Sequence, residues 1–284
     1  MLSRWLYEEL VRQALKEDAP FGDLTTEALV PPDLRGRAII RAKEALVVCG
    51  LPVAETVLRE VDPELAVNFL VEEGREVSGG TVLAEIVGRV ASILQAERVA
   101  LNFLQHLSGV ATYVRQVVRA VEGLPVRIVD TRKTTPGLRL LEKYAVRIGG
   151  GHNHRFGLSE GILIKDNHIR ACGGVAEAVR RARERLPHVF RIEVEVRTLT
   201  ELEEALSAGA EVILLDNMSL EELRAAVELA RQRAPGVLLE ASGGVTLENV
   251  RAVAETGVDL ISLGALTHSA RAVDIHLKVV EIFP

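Results

Sequence analysis

The sequence predicts an α/β protein built from an incomplete, TIM-like (β/α) barrel of about seven strands and an N-terminal α+β sandwich domain. From about residue 124 onward, short β-branched or leucine-rich runs alternate with helical stretches, which is typical of parallel βαβ units. Each run ends in polar residues, and a barrel gathers such residues around one mouth, whereas an open sheet concentrates them at one switch point. We therefore predict domains at residues 1–108 and 109–270, with residues 271–284 packing back on the first.

The N-terminal domain is predicted from a mixture of helical and strand patterns. Apolar residues at helical spacing predict helices at residues 2–15 and 91–107. Runs bounded by glycine-rich turns predict strands at residues 37–41, 45–49, 66–72 and 82–87. On the second helix, Arg98 shares a face with Asn102 and Gln105, which by itself indicates only a solvated surface.

The barrel domain is predicted from six clear strands, and we place a seventh near Val146. The six strands cover residues 126–130, 161–165, 191–195, 211–216, 237–241 and 259–263. The helices between them are predicted at residues 174–186, 199–208, 220–234 and 247–256. Ser219 and Thr246 lie where N-caps belong, and Gly209 and Gly257 lie where helices stop.

Composition and charge restrict the class of protein. The chain has 284 residues, of which 48% are hydrophobic and 26% charged, as expected of a globular protein. A net charge of −6 argues against a general nucleic-acid binder. Cys49 and Cys172 form neither a disulfide framework nor a metal-binding spacing. Without a leader at Met1 or an apolar run near about 20 residues, we expect a cytoplasmic protein that does not enter a membrane.

Positive charge is concentrated between residues 127 and 170. This stretch carries 9 Lys/Arg against 4 Asp/Glu, whereas the whole chain has 34 against 40. Because charge focused in a cleft attracts a ligand of opposite sign, we interpret the stretch as the lining of a site for a polyanion.

Two glycine motifs follow successive predicted strands near the end of the barrel. They are Ser242-Gly243-Gly244 and Gly264-Ala265. Glycines let backbone N–H groups approach an anion, so the motifs predict a phosphate site, although a structural turn would explain Gly-Gly equally well.

Charged residues at other strand ends suggest further chemistry. Glu195 and Asp216 close neighbouring strands, where they could hold Mg²⁺ or pair with nearby cations. Lys165 has two interpretations, a Schiff-base lysine or a cationic clamp for a carboxylate or phosphate, and the surrounding cations favour the clamp. Arg132, Arg139 and Arg155 could grip carboxylates bidentately, with His154 donating to the same group.

Taken together, the motifs closely resemble the quinolinate phosphoribosyltransferase family. The most specific is the run Asp-Thr-Arg-Lys-Thr-Thr-Pro-Gly from Asp130 to Gly137. The others, in chain order, lie at residues 97–98, 101–104, 107–112, 142–146, 149–155, 165–168, 193–196, 215–217, 240–244 and 264–269. The resemblance covers nearly the whole chain and departs at no motif position.

The resemblance implies a reaction, a metal and an assembly. Quinolinate and 5-phosphoribosyl 1-pyrophosphate give nicotinate mononucleotide, pyrophosphate and CO₂ in de novo NAD biosynthesis, with Mg²⁺ as cofactor. Family members have an N-terminal α/β sandwich and an incomplete α/β barrel. They form dimers or larger homo-oligomers, up to hexamers, in which the partner's N-terminal domain completes each active site.

The resemblance also implies roles for individual residues. Arg98 corresponds to the arginine donated across the subunit interface, and Lys133 lies where pyridine and pyrophosphate meet. Lys133, Lys165, Glu195 and Asp216 form the catalytic set, and Glu195 and Asp216 handle the ribose hydroxyls and Mg²⁺. The quinolinate-binding positions are Thr131, Arg132, His154, Arg155 and Lys165. The phosphate loop comprises Ser242, Gly243, Gly244, Leu263, Gly264 and Ala265.

Four alternatives remain open at this stage. A salvage enzyme acting on nicotinate would not need cations for a second carboxylate, and a relative associated with molybdenum transport would act on another substrate. A barrel lyase or aldolase would use Lys165 as a Schiff base. A module that only binds a phosphometabolite would not need the acidic pair Glu195 and Asp216.

Overall fold

The structure, a computed structural model, describes residues 2–283. The chain divides into two compact units. The first unit takes the residues up to Arg115, Thr135–Gly150 and the end of the chain from Ser269, and the second unit takes Gln116–Thr134 and Gly151–His268. The segment Thr135–Gly150, which the sequence placed with the barrel, therefore groups with the first unit.

The elements up to residue 120 begin with a short 3-10 helix at Arg4–Leu6. They continue as α1 (Glu8–Asp18), α2 (Leu24–Leu29), β1 (Arg35–Ala42), β2 (Leu46–Val47), α3 (Leu51–Val61), β3 (Ala66–Phe69), β4 (Glu76–Val77), β5 (Val82–Arg89) and α4 (Val90–Ala120).

The elements from residue 121 onward alternate strand and helix until the last strand. They are β6 (Arg127–Val129), α5 (Arg139–Gly149), β7 (Ile162–Ile164), α6 (Asp166–Cys172), α7 (Val175–Arg185), β8 (Ile192–Val196), α8 (Leu199–Ser207), β9 (Val212–Asp216), α9 (Leu220–Arg233), β10 (Leu238–Ser242), α10 (Val250–Ala254), β11 (Leu260–Ser262), α11 (Ala265–His268) and β12 (Ile275–Phe283).

The first unit is organised around an antiparallel sheet in the order β12-β1-β5-β3. The centre of this sheet is well buried, since Ala38, Ile40 and Ala42 of β1 are at most 1% exposed. β12 pairs with β1 from Arg35 opposite Phe283 to Ala42 opposite Ile275. The last residues of the chain thus complete the N-terminal sheet.

The second unit contains a parallel sheet in the order β6-β11-β10-β9-β8-β7. An isolated parallel bridge from Val129 to His152 extends it beside β6. All six predicted barrel strands are present, and among the described residues β6 and β7 are not paired with each other. The parallel sheet and the separate antiparallel sheet confirm the predicted α/β class.

The predicted strand near Val146 is wrong, because that residue lies inside α5. Leu141, Ala145 and Val146 are buried at helical spacing, so they form one face of a helix. Gly150, at φ 99°, ends the helix in the left-handed conformation.

The two predicted N-caps had different outcomes. Ser219 caps α9 through a capping box with Glu222, as expected. Thr246 is not a cap, because α10 begins only at Val250 and the Asn249 side chain accepts the Thr246 N–H at 2.8 Å.

No helix within residues 2–283 combines the length and the apolar character that a membrane crossing would require.

Candidate active site

The carboxyl ends of β7 and β8 bring a predicted pair of residues together. Lys165 follows β7, and its Nζ lies 2.6 Å from Oε2 of Glu195 in β8. The lysine side chain is 46% exposed, whereas the glutamate side chain is 9% exposed. An exposed cation held by a nearly buried carboxylate can move to another anion at low cost, because solvent already screens much of the pair.

Arg197 also lies at the carboxyl ends of these strands, and the sequence did not predict it as a site residue. It is an exposed side chain just after β8, and its guanidinium lies 3.3 Å from Asp216, 3.5 Å from Asp166 and 3.7 Å from Glu195. The sequence held one signal for it. Arg197 lies two residues after Glu195, and residues two apart in a strand point to the same side. Arg197 thus connects the ends of β8 and β9 with the start of α6.

Glu195 and Asp216 have the donor atoms that Mg²⁺ prefers, which are carboxylate oxygens. In this structure each carboxylate is also paired with a cation, Glu195 with Lys165 and Asp216 with Arg197. A Mg²⁺ ion bound by these oxygens would therefore have to displace Lys165 and Arg197, so the two carboxylates alone do not form a ready-made cage for it.

The predicted phosphate loop lies on a pocket of about 330 Å³. Ser242, Gly243 and Gly244 follow β10 and line it together with Asn217 and the first residues of α9. Gly243 and Gly244 have φ values of 92° and 64°, a conformation that glycine adopts without strain.

The second predicted glycine motif lies beside Lys133 instead of lining that pocket. A Cβ on Gly264 would be 2.8 Å from Cδ of Lys133, so only glycine leaves room for the lysine stem. The Lys133 carbonyl accepts a hydrogen bond from Thr267 Oγ1 at 2.7 Å, and Thr131 Oγ1 accepts the Lys133 N–H at 3.0 Å. Leu263 is buried and Ala265 begins α11, so these two residues support the turn.

His154 lies in a buried acidic cluster. Its Nε2 is 3.0 Å from Oε2 of Glu193 and 3.7 Å from Oε2 of Glu240, and its backbone N–H donates to Asp130 Oδ1 at 2.8 Å. Burial and the neighbouring Glu193 raise the pKa of Glu240 to about 7.

The side chains of this cluster are of types that bind metal ions, but their hydrogen bonds argue against a bound metal. His154, Glu193 and Glu240 are close enough to share an ion. However, Nδ1 of His154 accepts the Arg155 backbone N–H at 2.8 Å, which leaves the ring proton of a neutral imidazole on Nε2. A protonated Nε2 donates to Glu193 and cannot ligate a metal. Both ring nitrogens are thus engaged, and a substrate carboxylate would have to replace one of these bonds.

Arg155 and Arg132 are close enough to influence each other. Nη1 of Arg155 donates to the Gly161 carbonyl at 2.9 Å. Burial lowers the pKa of Arg155, and the positive charge of Arg132 lowers it further. Two like charges held together indicate a place where an anion is favoured.

Arg98 belongs to α4 in the first unit, and its side chain is exposed. Its predicted role in a shared active site stays a prediction.

Comparison with known proteins identifies the family. Residues 23–108 match the model of the quinolinate phosphoribosyl transferase N-terminal domain, and residues 110–278 match that of the C-terminal domain.

The chain belongs to the quinolinate phosphoribosyltransferase family.

Individual members of the family are similar over nearly their whole length. A protein of Synechocystis sp. named probable nicotinate-nucleotide pyrophosphorylase [carboxylating] is 46% identical over 271 residues, which cover 95% of this chain and 92% of that protein. A Mycobacterium leprae protein named nicotinate-nucleotide pyrophosphorylase [carboxylating] is 45% identical over 274 residues, covering 95% of this chain and 96% of that one. The crystal structure of NadC from Streptococcus pyogenes superposes with a TM-score of 0.95 at 40% identity, over 100% of this chain and 99% of that chain. The resemblance drawn from the motifs is confirmed.

Proposed function

We infer that this protein is a pentosyltransferase that transfers the 5-phosphoribosyl group of 5-phosphoribosyl 1-pyrophosphate to quinolinate with loss of CO₂. The products are nicotinate mononucleotide, pyrophosphate and CO₂, in NAD biosynthesis. The observation that carries this conclusion is membership of the family over both domains. The predicted alternatives outside this family are thereby set aside.

We propose that the reaction takes place at the carboxyl ends of the parallel strands. The ends of β7, β8 and β9 carry Lys165, Glu195 and Asp216, and the pocket after β10 adjoins Asp216 through Asn217. A cation, two carboxylates and a glycine-lined pocket match the carboxylates, ribose and 5-phosphate of the two substrates. Each part of the ligand would meet a group of complementary chemistry.

The proposed chemistry needs no protein nucleophile. The ring nitrogen of quinolinate attacks C1 of the ribose while the C1–O bond to pyrophosphate breaks, so positive charge develops on the sugar. Glu195 and Asp216 would stabilise that charge, because carboxylates fixed near a developing cation act strongly where water is excluded. The rest of the acceleration would come from holding both substrates in line.

Lys165, Arg132 and Arg155 would bind the two carboxylates of quinolinate, with Thr131 and His154 completing the set. Lys165 would exchange its bond to Glu195 for one to a substrate carboxylate, which frees Glu195 to face the ribose. After transfer, the C–C bond to the carboxyl beside the nitrogen breaks and CO₂ leaves. The electron pair of that bond stays on the ring carbon, stabilised by the adjacent positive nitrogen, and a proton from water then adds to this carbon. Lys133 would lie between the pyridine and the pyrophosphate.

We further propose Mg²⁺ as cofactor, held by Glu195 and Asp216 together with substrate oxygens. When bound, it neutralises the negative charge of the pyrophosphate leaving group. Two other expectations remain proposals: a cytosolic location, and a homo-oligomer of two or more subunits in which Arg98 of one subunit serves the site of another. The exposure of Arg98 on α4 supports that role.

Product analysis tests the proposed function. Incubation with quinolinate, 5-phosphoribosyl 1-pyrophosphate and Mg²⁺ should release nicotinate mononucleotide and CO₂ in equal amounts, and nicotinate should not be a substrate. Turnover of nicotinate alone would instead indicate a salvage enzyme. Borohydride added during turnover should leave Lys165 unmodified, because no Schiff base forms.

A variant pair tests the site itself. Lys165→Met should raise the KM for quinolinate about tenfold or more, since a hydrogen bond between two charged groups is worth about 1.5–3 kcal/mol. Lys278→Met, the same change at an exposed lysine of β12, is the matched control and should leave the KM unchanged. Equal KM values for both variants would contradict the placement of quinolinate at Lys165.

A further inference from the structure

Asn217, directly after β9, has an unusual backbone conformation. At φ 56° it is the one residue other than glycine with a positive φ within residues 2–283. Left-handed backbone is costly for L-residues, and asparagine is among the few that tolerate it. Such a conformation persists where the surrounding structure requires it, often at a functional site.

The conformation lets Asn217 connect the ends of two strands. Its backbone N–H donates to the carbonyl oxygen of Ser242, at the end of β10, at 2.8 Å. Its side-chain Nδ2 donates to Oδ1 of Asp216 at 3.0 Å, while Oδ2 of Asp216 faces Arg197 at 3.3 Å. The carboxylate of Asp216 is therefore held through both of its oxygens.

The same side chain also limits the shape of the pocket after β10. A Cβ on Gly243 would collide with Oδ1 of Asn217, so the amide lies directly against the Gly243 backbone. Asn217, Gly243 and Gly244 all line the pocket of about 330 Å³. One short side chain therefore contacts both the Asp216 carboxylate and the glycine turn.

We propose that Asn217 is a positioning residue for the phosphoribosyl substrate, which sets the distance between the Asp216 carboxylate and the glycine turn of the pocket. This inference rests on the proposed function, in which Asp216 faces the ribose and the pocket takes the 5-phosphate. A ribose 5-phosphate must reach both groups at once, so their separation selects a phosphorylated pentose. Quinolinate does not depend on that separation.

Two substitutions distinguish the role of the Asn217 side-chain amide from the role of its left-handed backbone conformation. Asn217→Gly deletes the amide but adopts the left-handed conformation readily and keeps the N–H to Ser242. Asn217→Asp keeps the size and much of the tolerance for positive φ, but places a second carboxylate against Asp216. Gln232→Ala is the control, because it removes an exposed amide of α9 that donates a hydrogen bond one turn back along the same helix, to Glu228 at 3.3 Å.

The test measures kcat, both KM values and the thermal midpoint of each variant. Asn217→Gly should raise the KM for 5-phosphoribosyl 1-pyrophosphate about tenfold, leave the KM for quinolinate within about twofold, and leave the thermal midpoint nearly unchanged. Asn217→Asp should lower kcat/KM for the phosphoribosyl donor about a hundredfold, because it replaces an attraction by a repulsion. Gln232→Ala should match the wild type.

Two outcomes would overturn the proposal. Equal effects on both KM values together with a lower thermal midpoint would show a general structural role, and an Asn217→Asp variant like the wild type would show that the amide bond has no role. The rise in thermal midpoint on adding 5-phosphoribosyl 1-pyrophosphate gives a readout without turnover, and Asn217→Gly should reduce that rise. Failure of the wild type to turn over quinolinate would refute the proposed function alone, since this binding comparison would still decide the role of Asn217.

Discussion

Replacing Glu240 with glutamine should make the stability of the protein less dependent on pH. Glu240 lies in β10 at 1% exposure, beside the carboxylate of Glu193, and its Oε1 has no hydrogen-bond partner among the described residues. Burial and this neighbour raise its pKa from the ordinary 4.5 to about 7. Glu240→Gln keeps the shape and removes the ionisation.

The direction and the size of this pH effect on the free energy of unfolding follow from proton linkage. Between pH 4.5 and about 7 the unfolded chain releases the Glu240 proton while the folded protein retains it, so the free energy of unfolding falls as the pH rises. At about 1.4 kcal/mol per pH unit, the loss reaches about 3 kcal/mol above pH 7. The glutamine variant escapes this loss, because a glutamine side chain does not ionise.

Thermal midpoints of wild type and variant at pH 5 and pH 8 provide the assay. The thermal midpoint of Glu240→Gln should exceed that of the wild type by little at pH 5 and by about 6 °C or more at pH 8. This uses a shift of about 2–4 °C per kcal/mol for a chain of this size. Glu228→Gln, the same change at an exposed position of α9, should show no such dependence. An equal loss of stability at both pH values would refute the reasoning, because it would mean that folded Glu240 is ionised and needed as a charge.

Three further predictions concern other parts of the molecule. Gly264→Ala should lower kcat about tenfold with little change in folding, because the new methyl group displaces the stem of Lys133; unchanged kinetics would contradict this. Arg197→Ala should lower the Mg²⁺ concentration for half-maximal activity severalfold, because it removes a cation that competes for the acidic pair; a magnesium titration measures this, and a higher requirement would contradict it. Asp62→Asn should lower the free energy of unfolding at pH 7 by about 1–2 kcal/mol, since Arg89 lowers the pKa of Asp62 to about 2 but is itself half exposed. Asp62 stabilises the fold above pH 4 and loses this effect as the pH falls toward 2. The difference in free energy of unfolding between Asp62→Asn and the wild type, measured by urea titration, should therefore be present at pH 7 and disappear as the pH falls from 4 toward 2.

The strands of the second unit were predictable because their signal is local. A run of β-branched and leucine residues such as Val212–Asp216 can form a buried parallel strand whatever surrounds it. Glu195 and Asp216 were found as candidates for the same reason, since each closes such a run. Their cationic partner Arg197 was missed because a charged residue after a strand looks like any solvated residue until its neighbours are known.

The first unit shows what local patterns leave out. The predicted helix at 91–107 stopped before Ser108 and Gly109, yet α4 continues to Ala120. Gly109 is needed for close packing, because a Cβ there would collide with the carbonyl oxygen of Arg271. Ser108 Oγ accepts the Cys49 N–H and donates to the Cys49 carbonyl, both at 3.0 Å. Such partners are distant in sequence, so from local patterns alone a serine followed by a glycine predicts the end of a helix.

Completion of the N-terminal sheet by β12 has a bearing on how the chain matures on the ribosome. Until residues 275–283 emerge, the edge of β1 that pairs with β12 has no partner strand, and its alternate residues Gly36, Ala38, Ile40 and Ala42, which are buried in the finished fold, are uncovered on that side. Exposed edges of this kind recruit other strands, so the interval before β12 is made is the period in which this sheet is most exposed to aggregation and a chaperone is of most use.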